Sequence, residues 1–399
     1  MRLLIADKFP EAYVADFRAL GLTVEYQPDA SAEQLPALVD GAQILVVRST
    51  KVTRAAIEKA PALELIIRAG AGYDTIDVAA ASERGIYVAN CPGKNSVAVA
   101  ELAMGLMLAI DRRIVQNTAD LRAGRWNKKE YSKADGLKGK TLGIVGIGAI
   151  GSAVAQRALA FEMNVIAYNV PFSPEAAEEL GVGYCPTLFE LAAKADVISV
   201  HLPQTPETKK LFNADFFARM KKGAVFINTA RGGLHDQEAL ERAVREKGIR
   251  VGLDVYDPEP AGGTADFTSS LFALDGFVGT HHIGASTEQA QNAIAAESVR
   301  ICKEFLLRGQ VPGAVNIDKP SAEEVQLVVR HFNKVGVLAA VLGIIRKFGV
   351  NIEEMSNTIF DGGKAAVAVL RLSAAPSAEM LAEIAGLEGQ VIQCAAKQG

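Results

Sequence analysis

Residues 142–151 read Leu-Gly-Ile-Val-Gly-Ile-Gly-Ala-Ile-Gly, an apolar run that passes directly into a Gly-x-Gly-x-x-Gly turn. A helical pattern follows at once, and this context of strand, turn and helix is far more specific than the glycine spacing alone. Gly146 permits a tight turn, Gly148 lets a pyrophosphate approach the backbone, and Gly151 lets helix and strand pack closely. The helix N-terminus around Ile150 supplies N–H groups and a positive dipole end for the anion. The motif therefore predicts a dinucleotide site.

Apolar runs and helical patterns alternate on both sides of this motif. Such alternation, with β-branched strands, indicates parallel sheets covered by helices. One helix is predicted over residues 95–123 and another from about Thr287 to Leu307, with Ser286 and Gln289 as its capping box. The predicted strands are Arg2–Ala6, Thr23–Tyr26, Gln43–Val47, Leu63–Ile67, Ile86–Ala89, Leu142–Val145, Val165–Tyr168, Val197–Val200, Ala224–Ile227, Val251–Val255 and Phe277–Thr280.

The pattern changes after residue 322 to a βαββαβ order. We therefore predict an α/β fold with two Rossmann-like, doubly wound parallel-sheet domains and a C-terminal βαββαβ domain. The first domain is expected over residues 1–95 and 284–318, the nucleotide-binding domain over 96–283, and the last over 322–399. The last domain's elements are predicted at Val325–Arg330, Gly336–Phe348, Val350–Ile352, Met355–Ile359, Ala365–Leu372, Ser377–Ala385 and Gln390–Cys394.

Composition excludes several classes of protein. The 399 residues include 42 basic and 46 acidic side chains, a net charge of −4 without like-charge runs, so we expect no nucleic-acid partner. The longest run without Asp, Glu, Lys or Arg is Thr141–Gln156, which is too short and too glycine-rich to span a membrane. The four cysteines lie far apart, so neither a CxxC metal site nor a disulfide scaffold is expected. These features predict a cytoplasmic protein without a metal.

Asn169 ends the strand that follows the glycine motif, where an acidic residue would ordinarily hold the adenosine ribose. Asparagine can still hydrogen-bond a ribose, but it does not repel a 2′-phosphate as aspartate would. No Arg or Lys lies within residues 169–173 to pair with such a phosphate. The sequence therefore favours NAD and leaves NADP open.

Three later segments, each at a predicted strand end, carry candidate catalytic side chains. Arg231 lies among small residues, and its planar fork suits a bidentate grip on a carboxylate. His282 lies where a strand passes into a helix and can act as a general acid or base near neutral pH. Glu259, between two prolines, is a candidate carboxylate partner for that histidine.

The glycine motif and the segments 228–233, 254–260 and 282–289 resemble the D-isomer-specific 2-hydroxyacid dehydrogenases. The resemblance implies that His282, paired with Glu259, takes the substrate hydroxyl proton while the C2 hydride passes to the nicotinamide. It implies that Arg231 holds the carboxylate, and it makes residues 1–95 and 284–318 the substrate-binding domain. It further implies that the cofactor contacts Gly146, Gly148, Ile150, Gly151, Asn169, Pro203, Thr208, Thr229, Ala230 and Asp254.

Residues 47–53, 68–74 and 95–102 resemble family members that oxidise 3-phosphoglycerate, the first step of the phosphorylated route to serine. The resemblance implies Arg48, Ala71, Gly72 and Asn95 as substrate residues, with the backbone N–H groups of Ala69–Gly72 on the carboxylate. It also implies a homo-oligomer, at least a dimer. A partner subunit could then present Arg125, Lys128 and Lys129 to the phosphate, although these residues also fit a solvated basic loop.

The C-terminal βαββαβ pattern resembles an ACT regulatory domain. His331, Asn333 and Asn351 match positions that hold serine across an ACT dimer in feedback-inhibited relatives. Val335 departs from the pattern, which has proline there. The alternative is an ACT domain used only for assembly.

Other functions remain open from the sequence. The chain could reduce another 2-oxo acid such as 2-oxoglutarate or glyoxylate, or it could be a non-enzymatic NAD-sensing corepressor, although residues from Val325 onward argue against the latter. Among the other histidines, His201 is predicted to pack beside the nucleotide cleft and His235 to be exposed. His281 stands where proline is common in the family.

Overall fold

In the computed structural model, the described residues (1–169, 171–260, 264–318 and 325–398) divide into two units, Met1–Asn316 and Ile317–Gly399. The predicted start of the last domain at residue 322 lies outside the described residues. The three domain boundaries therefore stay predictions. No helix in the described ranges is both long and apolar enough to cross a membrane.

Strands and helices alternate in the first part of the chain, as the apolar runs predicted. They are β1 (Arg2–Ile5), α1 (Glu11–Ala19), β2 (Thr23–Tyr26), α2 (Leu35–Leu38), β3 (Ile44–Val47), α3 (Arg54–Glu58), β4 (Leu65–Arg68), α4 (Val78–Glu83) and β5 (Tyr87–Asn90). The strands form a parallel sheet in the order β2-β1-β3-β4-β5, with apolar side chains buried on both faces. The carboxyl ends of β1, β3 and β4 therefore lie side by side at one edge.

A second parallel sheet follows. Its elements are α5 (Ser96–Asp111), α6 (Ile114–Arg122), α7 (Lys128–Tyr131), β6 (Thr141–Val145), α8 (Ala149–Ala160), β7 (Asn164–Tyr168), α9 (Pro174–Glu179), β8 (Gly183–Tyr184), α10 (Leu188–Lys194), β9 (Val197–Val200), α11 (Ala214–Arg219), β10 (Val225–Asn228), α12 (Gln237–Lys247), β11 (Arg250–Leu253), β12 (Phe277–Gly279) and α13 (Glu288–Arg308). The strand order is β12-β11-β10-β9-β6-β7-β8. The order reverses at β6, and ligands of open α/β sheets bind in the crevice at such a point.

Two local predictions in this region were wrong, and one strand was not predicted. The helix predicted over residues 95–123 is two helices, α5 and α6, because Arg113 adopts a left-handed conformation with φ 49° between them. The cap of α13 is Thr287, whose side chain accepts a hydrogen bond from the N–H of Ala290, and not Ser286. The short strand β8 has no apolar run and was missed. Helix α13 packs its apolar side chains against the first sheet.

The unit Ile317–Gly399 contains an antiparallel sheet with two helices. Its elements are β13 (Val325–Phe332), α14 (Val337–Lys347), β14 (Ile352–Ile359), β15 (Ala365–Leu372), α15 (Ala378–Ala385) and β16 (Val391–Gln398). The strand order β14-β15-β13-β16 is that of a βαββαβ unit. The two runs predicted at residues 350–352 and 355–359 form the single strand β14, with a register shift between Ile352 and Glu354. Together the three sheets confirm the predicted fold class.

Candidate active site

The glycine turn between β6 and α8 has the backbone geometry expected for a tight turn, an open face for a pyrophosphate and close packing of helix and strand. Gly146 has φ 95°, and a Cβ there would lie 2.6 Å from the carbonyl oxygen of His201. A Cβ at Gly151 would lie 2.1 Å from the carbonyl oxygen of Gly146, so helix and turn touch at this point. A Cβ at Gly148 would instead meet open space. The open side of the turn, with no acidic side chain in the first turn of α8, is therefore where a pyrophosphate fits.

Three other residues predicted for the cofactor, Pro203, Thr208 and Thr229, and one predicted for the substrate, Asn95, lie in the loops around this sheet. Thr229, which follows β10, is buried, and its hydroxyl finds no hydrogen-bond partner in the described ranges. Asn95 lies before α5, and its buried Oδ1 is likewise without a partner there. The Thr208 hydroxyl donates to the carbonyl oxygen of Pro203 at 2.8 Å, which closes the loop after β9. Buried polar groups without partners are rare, so Thr229 and Asn95 fit groups that a bound cofactor or substrate would satisfy.

The structure brings His282 and Glu259 together, as predicted. His282 Nδ1 lies 2.7 Å from Glu259 Oε2, and Glu259 Oε1 accepts the N–H of Tyr256 at 3.0 Å. Burial alone would raise the pKa of Glu259, but the hydrogen bonds from His282 and Tyr256 outweigh it and lower that pKa. Glu259 is therefore a carboxylate at neutral pH. Since Nδ1 of the half-exposed His282 is engaged, its Nε2 is the atom left for a substrate.

Asp254 holds the loop on which His282 lies. Its fully buried carboxylate accepts the Thr280 hydroxyl at 2.6 Å and the N–H groups of Ile283 and Gly284 at 2.8 Å each. These bonds flank His282, whose φ of 52° is left-handed. The predicted contact of Asp254 with the cofactor stays a prediction, and the contacts in hand make it a positioning residue for the histidine.

Arg231 is held by a residue that the sequence reasoning did not assign. Asp74, on the loop after β4, accepts hydrogen bonds from Nε and Nη2 of Arg231 at 3.0 and 3.2 Å. The Nη1 atom of Arg231 donates to the carbonyl oxygen of Ala230 at 2.7 Å. A guanidinium has five N–H donors, so two remain for a substrate carboxylate. Burial would raise the pKa of Asp74, but the hydrogen bonds and charge of Arg231 lower it.

A buried amide shapes the backbone under Arg231. Asn228 Oδ1 accepts the N–H of Ala230 at 2.9 Å, and its Nδ2 donates to the carbonyl oxygen of Arg231 at 2.8 Å. The second Nδ2 hydrogen points to Nδ1 of His235 at 3.2 Å. His235 was predicted to be exposed, and this is wrong: it is 6% exposed, packs against Phe226, and burial lowers its pKa to about 4. The neutral ring can accept the hydrogen bond that Asn228 offers.

Positive charge is concentrated at the carboxyl ends of β3 and β4. Burial, together with the charges of Arg231 and Arg48, lowers the pKa of Arg68 to about 10 against the opposing effect of Asp74. Arg68 Nε has no hydrogen-bond partner within the described residues. The guanidinium of Arg68 thus interacts with those of Arg231 and Arg48 and with the carboxylate of Asp74. Arg68 was not predicted as a site residue, although its place at the end of a strand was a usable signal.

The loop after β4 offers fewer N–H groups than predicted. Those of Ala69 and Gly70 donate to the carbonyl oxygens of Val47 and Arg68 and are already used. In the part of the chain that the structure describes, the N–H groups of Ala71 and Gly72 form no such bond. A Cβ at Gly72 would lie 1.8 Å from Arg231 Nη2, so a side chain at this position would displace the guanidinium from its present place.

Other predicted residues lie apart from this cluster. Arg125 pairs with Asp120, and Lys128 and Lys129 lie exposed on α7. His281 is exposed beside His282, and Asn169 donates to the carbonyl oxygen of Pro171 at 3.4 Å. His201 accepts or donates a hydrogen bond with Ser199 at 2.9 Å, and burial lowers its pKa to about 3, which fits the predicted packing role.

The three predicted effector residues do not meet within one chain. His331 is 2% exposed, and its ring nitrogens lie 2.9 Å from the carbonyl oxygen of Phe332 and 3.0 Å from Asn357 Oδ1. Asn333 forms hydrogen bonds with residues just before β15, while Asn351 forms hydrogen bonds with Ser373, just after that strand. The length of that strand separates the two asparagines by roughly 25 Å at about 3.4 Å per residue.

Comparison with known proteins agrees with this geometry. Residues 104–284 match the family model described as "D-isomer specific 2-hydroxyacid dehydrogenase, NAD binding domain". A D-3-phosphoglycerate dehydrogenase of Methanocaldococcus jannaschii is 44% identical, over 78% of this chain and 58% of its own length. A hydroxypyruvate reductase of Thermotoga maritima is 47% identical, over 68% of this chain and 88% of its own length.

A solved structure of NAD⁺-bound 3-phosphoglycerate dehydrogenase from Entamoeba histolytica superimposes with a TM-score of 0.66 at 30% identity, over 79% of this chain and 98% of that one. The chain belongs to the D-isomer-specific 2-hydroxyacid dehydrogenase family. It contains the NAD-binding domain of that family. The chain spans 58% and 63% of the lengths of the first two curated relatives that it matches.

Proposed function

We propose that this chain catalyses the NAD-dependent oxidation of 3-phospho-D-glycerate to 3-phosphohydroxypyruvate. The observation that carries the proposal is a set of three interacting guanidiniums, those of Arg48, Arg68 and Arg231, of which Arg231 is paired with the carboxylate of Asp74. This excess of positive charge suits a substrate with a carboxylate at one end and a phosphate at the other. Relatives named as D-3-phosphoglycerate dehydrogenases support the same reading.

Each side chain has a role in the proposed reaction. Arg231 binds the substrate carboxylate with the two donors that Asp74 and Ala230 leave, and Arg48 and Arg68 bind the phosphate. His282 Nε2 takes the proton of the C2 hydroxyl, and the Glu259 carboxylate stabilises the resulting imidazolium. NAD, when bound, accepts the hydride of C2. In the reverse direction His282 returns the proton to the C2 oxygen.

The residues around the crevice fit a dinucleotide. The open side of Gly148 would take the pyrophosphate, and the hydroxyl of Thr229 and the amide of Asn169 would take further polar groups. We propose NAD and not NADP, because residues 169–173 hold no cation for a 2′-phosphate. An assay with both cofactors separates the two.

The test is NADH formation by the full chain with 3-phosphoglycerate, beside D-glycerate as the unphosphorylated comparator. We expect a clear preference for the phosphorylated acid. Arg68→Gln should lower kcat/KM for that substrate by about tenfold to a hundredfold, as the loss of a charged hydrogen bond does, and leave D-glycerate unchanged. Arg18→Gln, at an exposed arginine on α1, is the matched control. Faster turnover of glyoxylate or 2-oxoglutarate would instead favour a reductase of another 2-oxo acid.

We further propose a homo-oligomer, at least a dimer, with serine as an effector. Because Asn333 and Asn351 lie at opposite ends of β15, a site that uses both would need two copies of the chain. Serine inhibition that disappears in both Asn333→Ala and Asn351→Ala supports this. Wild-type activity that ignores millimolar serine would leave assembly as the role of the last unit. The cytoplasmic location stays a prediction.

A further inference from the structure

Asp7 lies just after β1, and its carboxylate is bound by the turn after the neighbouring strand. Oδ2 of Asp7 accepts the N–H groups of Arg48, Ser49 and Thr50 at 2.7, 3.0 and 3.0 Å. Three successive backbone N–H groups that converge form a concave nest for an anion. Here the anion is a side chain of the protein itself.

The sheet register explains why these groups meet. β1 and β3 pair in parallel, with Ile5 opposite Val46, so both strands end at the same edge. The Thr50 hydroxyl adds a second link, since it lies 3.0 Å from the carbonyl oxygen of Ala6 and 3.2 Å from that of Ala30. The turn that carries Arg48 is therefore tied to the end of β1 at several points.

Arg48 is the first residue of this turn, and its half-buried side chain lies within electrostatic range of Arg68. The Arg48 side chain is long and flexible, and Asp7 restrains only the backbone from which it extends. We propose that Asp7 is a positioning residue for phosphate recognition, because its carboxylate fixes the backbone from which the Arg48 guanidinium reaches the substrate. This proposal rests on the proposed function.

A positioning role differs from a merely structural one in what it changes. The nest holds one end of the substrate site, while Arg231, His282 and the glycine turn belong to other loops. Loss of the Asp7 carboxylate should therefore weaken discrimination in favour of the phosphorylated acid without changing cofactor binding. A displacement of about 1 Å at a positioned group can cost about a hundredfold in rate.

The experiment uses the full chain and NADH to reduce 3-phosphohydroxypyruvate and hydroxypyruvate, which differ only in the phosphate. We expect Asp7→Ala to lower the ratio of the two kcat/KM values by about tenfold or more, with hydroxypyruvate reduction and NADH affinity unchanged. Asp7→Asn keeps one acceptor oxygen, so its ratio of kcat/KM values should lie between those of the wild type and Asp7→Ala. This variant replaces Asp7→Ala in the test if Asp7→Ala fails to fold. Asp16→Ala, at an exposed aspartate on α1, is the matched control.

A double-mutant cycle completes the test. On an Arg48→Ala background, the added Asp7→Ala change should lower the ratio of the two kcat/KM values by less than a further factor of about two, because the side chain that Asp7 positions is gone. The proposal would be overturned if Asp7→Ala lowered kcat/KM equally for both substrates. It would also be overturned if Asp7→Ala lowered the ratio as much on the Arg48→Ala background as it does in the wild type. Wild-type protein that prefers hydroxypyruvate would refute the proposed function together with this role. An intact phosphate preference in Asp7→Ala would refute the role of Asp7 alone.

Discussion

Asp74 holds Arg231 side-on, with two hydrogen bonds of 3.0 and 3.2 Å between residues 157 positions apart in the chain. Asp74 follows a strand of the first sheet, and Arg231 follows a strand of the second. The pair therefore links loops of the two sheets. It also decides which N–H groups of the guanidinium remain for a carboxylate.

Replacing Asp74 tests whether this pair serves catalysis. We expect Asp74→Ala to lower kcat by about tenfold or more, because Arg231 loses the partner that aims it. KM for the anionic substrate should not rise, since removal of a negative charge strengthens the attraction of the remaining cations. Steady-state kinetics would contradict us if KM rose and kcat stayed unchanged. Glu83→Gln, which breaks the exposed pair with Arg54, is the control.

Substitutions in the His282–Glu259 pair should lower the rate of the chemical step and leave NADH binding unchanged. His282→Ala should lower kcat by about 10²- to 10⁴-fold, the usual contribution of a general base, while NADH titration by fluorescence stays as in wild type. Glu259→Gln should give a smaller loss in the same direction. The neighbouring His281 is exposed, so His281→Ala provides a matched control that should retain full activity. Lost NADH binding in His282→Ala would mean that the histidine serves the cofactor.

Two glycines of one turn predict opposite outcomes. Gly148→Ala places its Cβ in open space and at an ordinary φ of −71°, so the protein should melt as wild type does but bind NADH at least about tenfold more weakly. Gly151→Ala places its Cβ 2.1 Å from a backbone oxygen, so it should lower the melting temperature itself. Calorimetry and NADH titration on both variants check this. Unchanged NADH affinity in Gly148→Ala would place the pyrophosphate elsewhere.

Buried His235 predicts a pH-dependent stability. Because burial lowers its pKa to about 4 from an ordinary 6.5, the unfolded chain binds the proton more readily between these values. The protein is therefore destabilised as the pH falls from about 6.5 towards about 4. At pH 5 the wild type should lose about 2 kcal/mol relative to pH 7.5 that His235→Val does not lose. Urea unfolding of both proteins at the two pH values measures the difference, and parallel losses would contradict it.

The sequence was sufficient for features that depend on local physics. Alternating apolar runs place most strands within a few residues, since burial in a sheet needs a continuous apolar segment. The glycine turn was readable because its conformation and close contacts exclude side chains, and Arg231, Glu259 and His282 could be named because few residue types perform their chemistry. The left-handed Arg113 and the two-residue β8 were missed because neither leaves a periodic pattern.

Only the tertiary structure decided which distant groups meet. Asp7 fills the nest at Arg48, and Arg68 lies near them, because strand order brings their loops to one edge of the first sheet, whereas Asp74 reaches Arg231 from one sheet to the other. His235 is buried against Phe226, a neighbour that its own position in the sequence does not reveal. Hydrogen bonds and charges act over a few ångströms in space, and no periodicity along the chain records a separation of 157 residues that folding reduces to 3.0 Å.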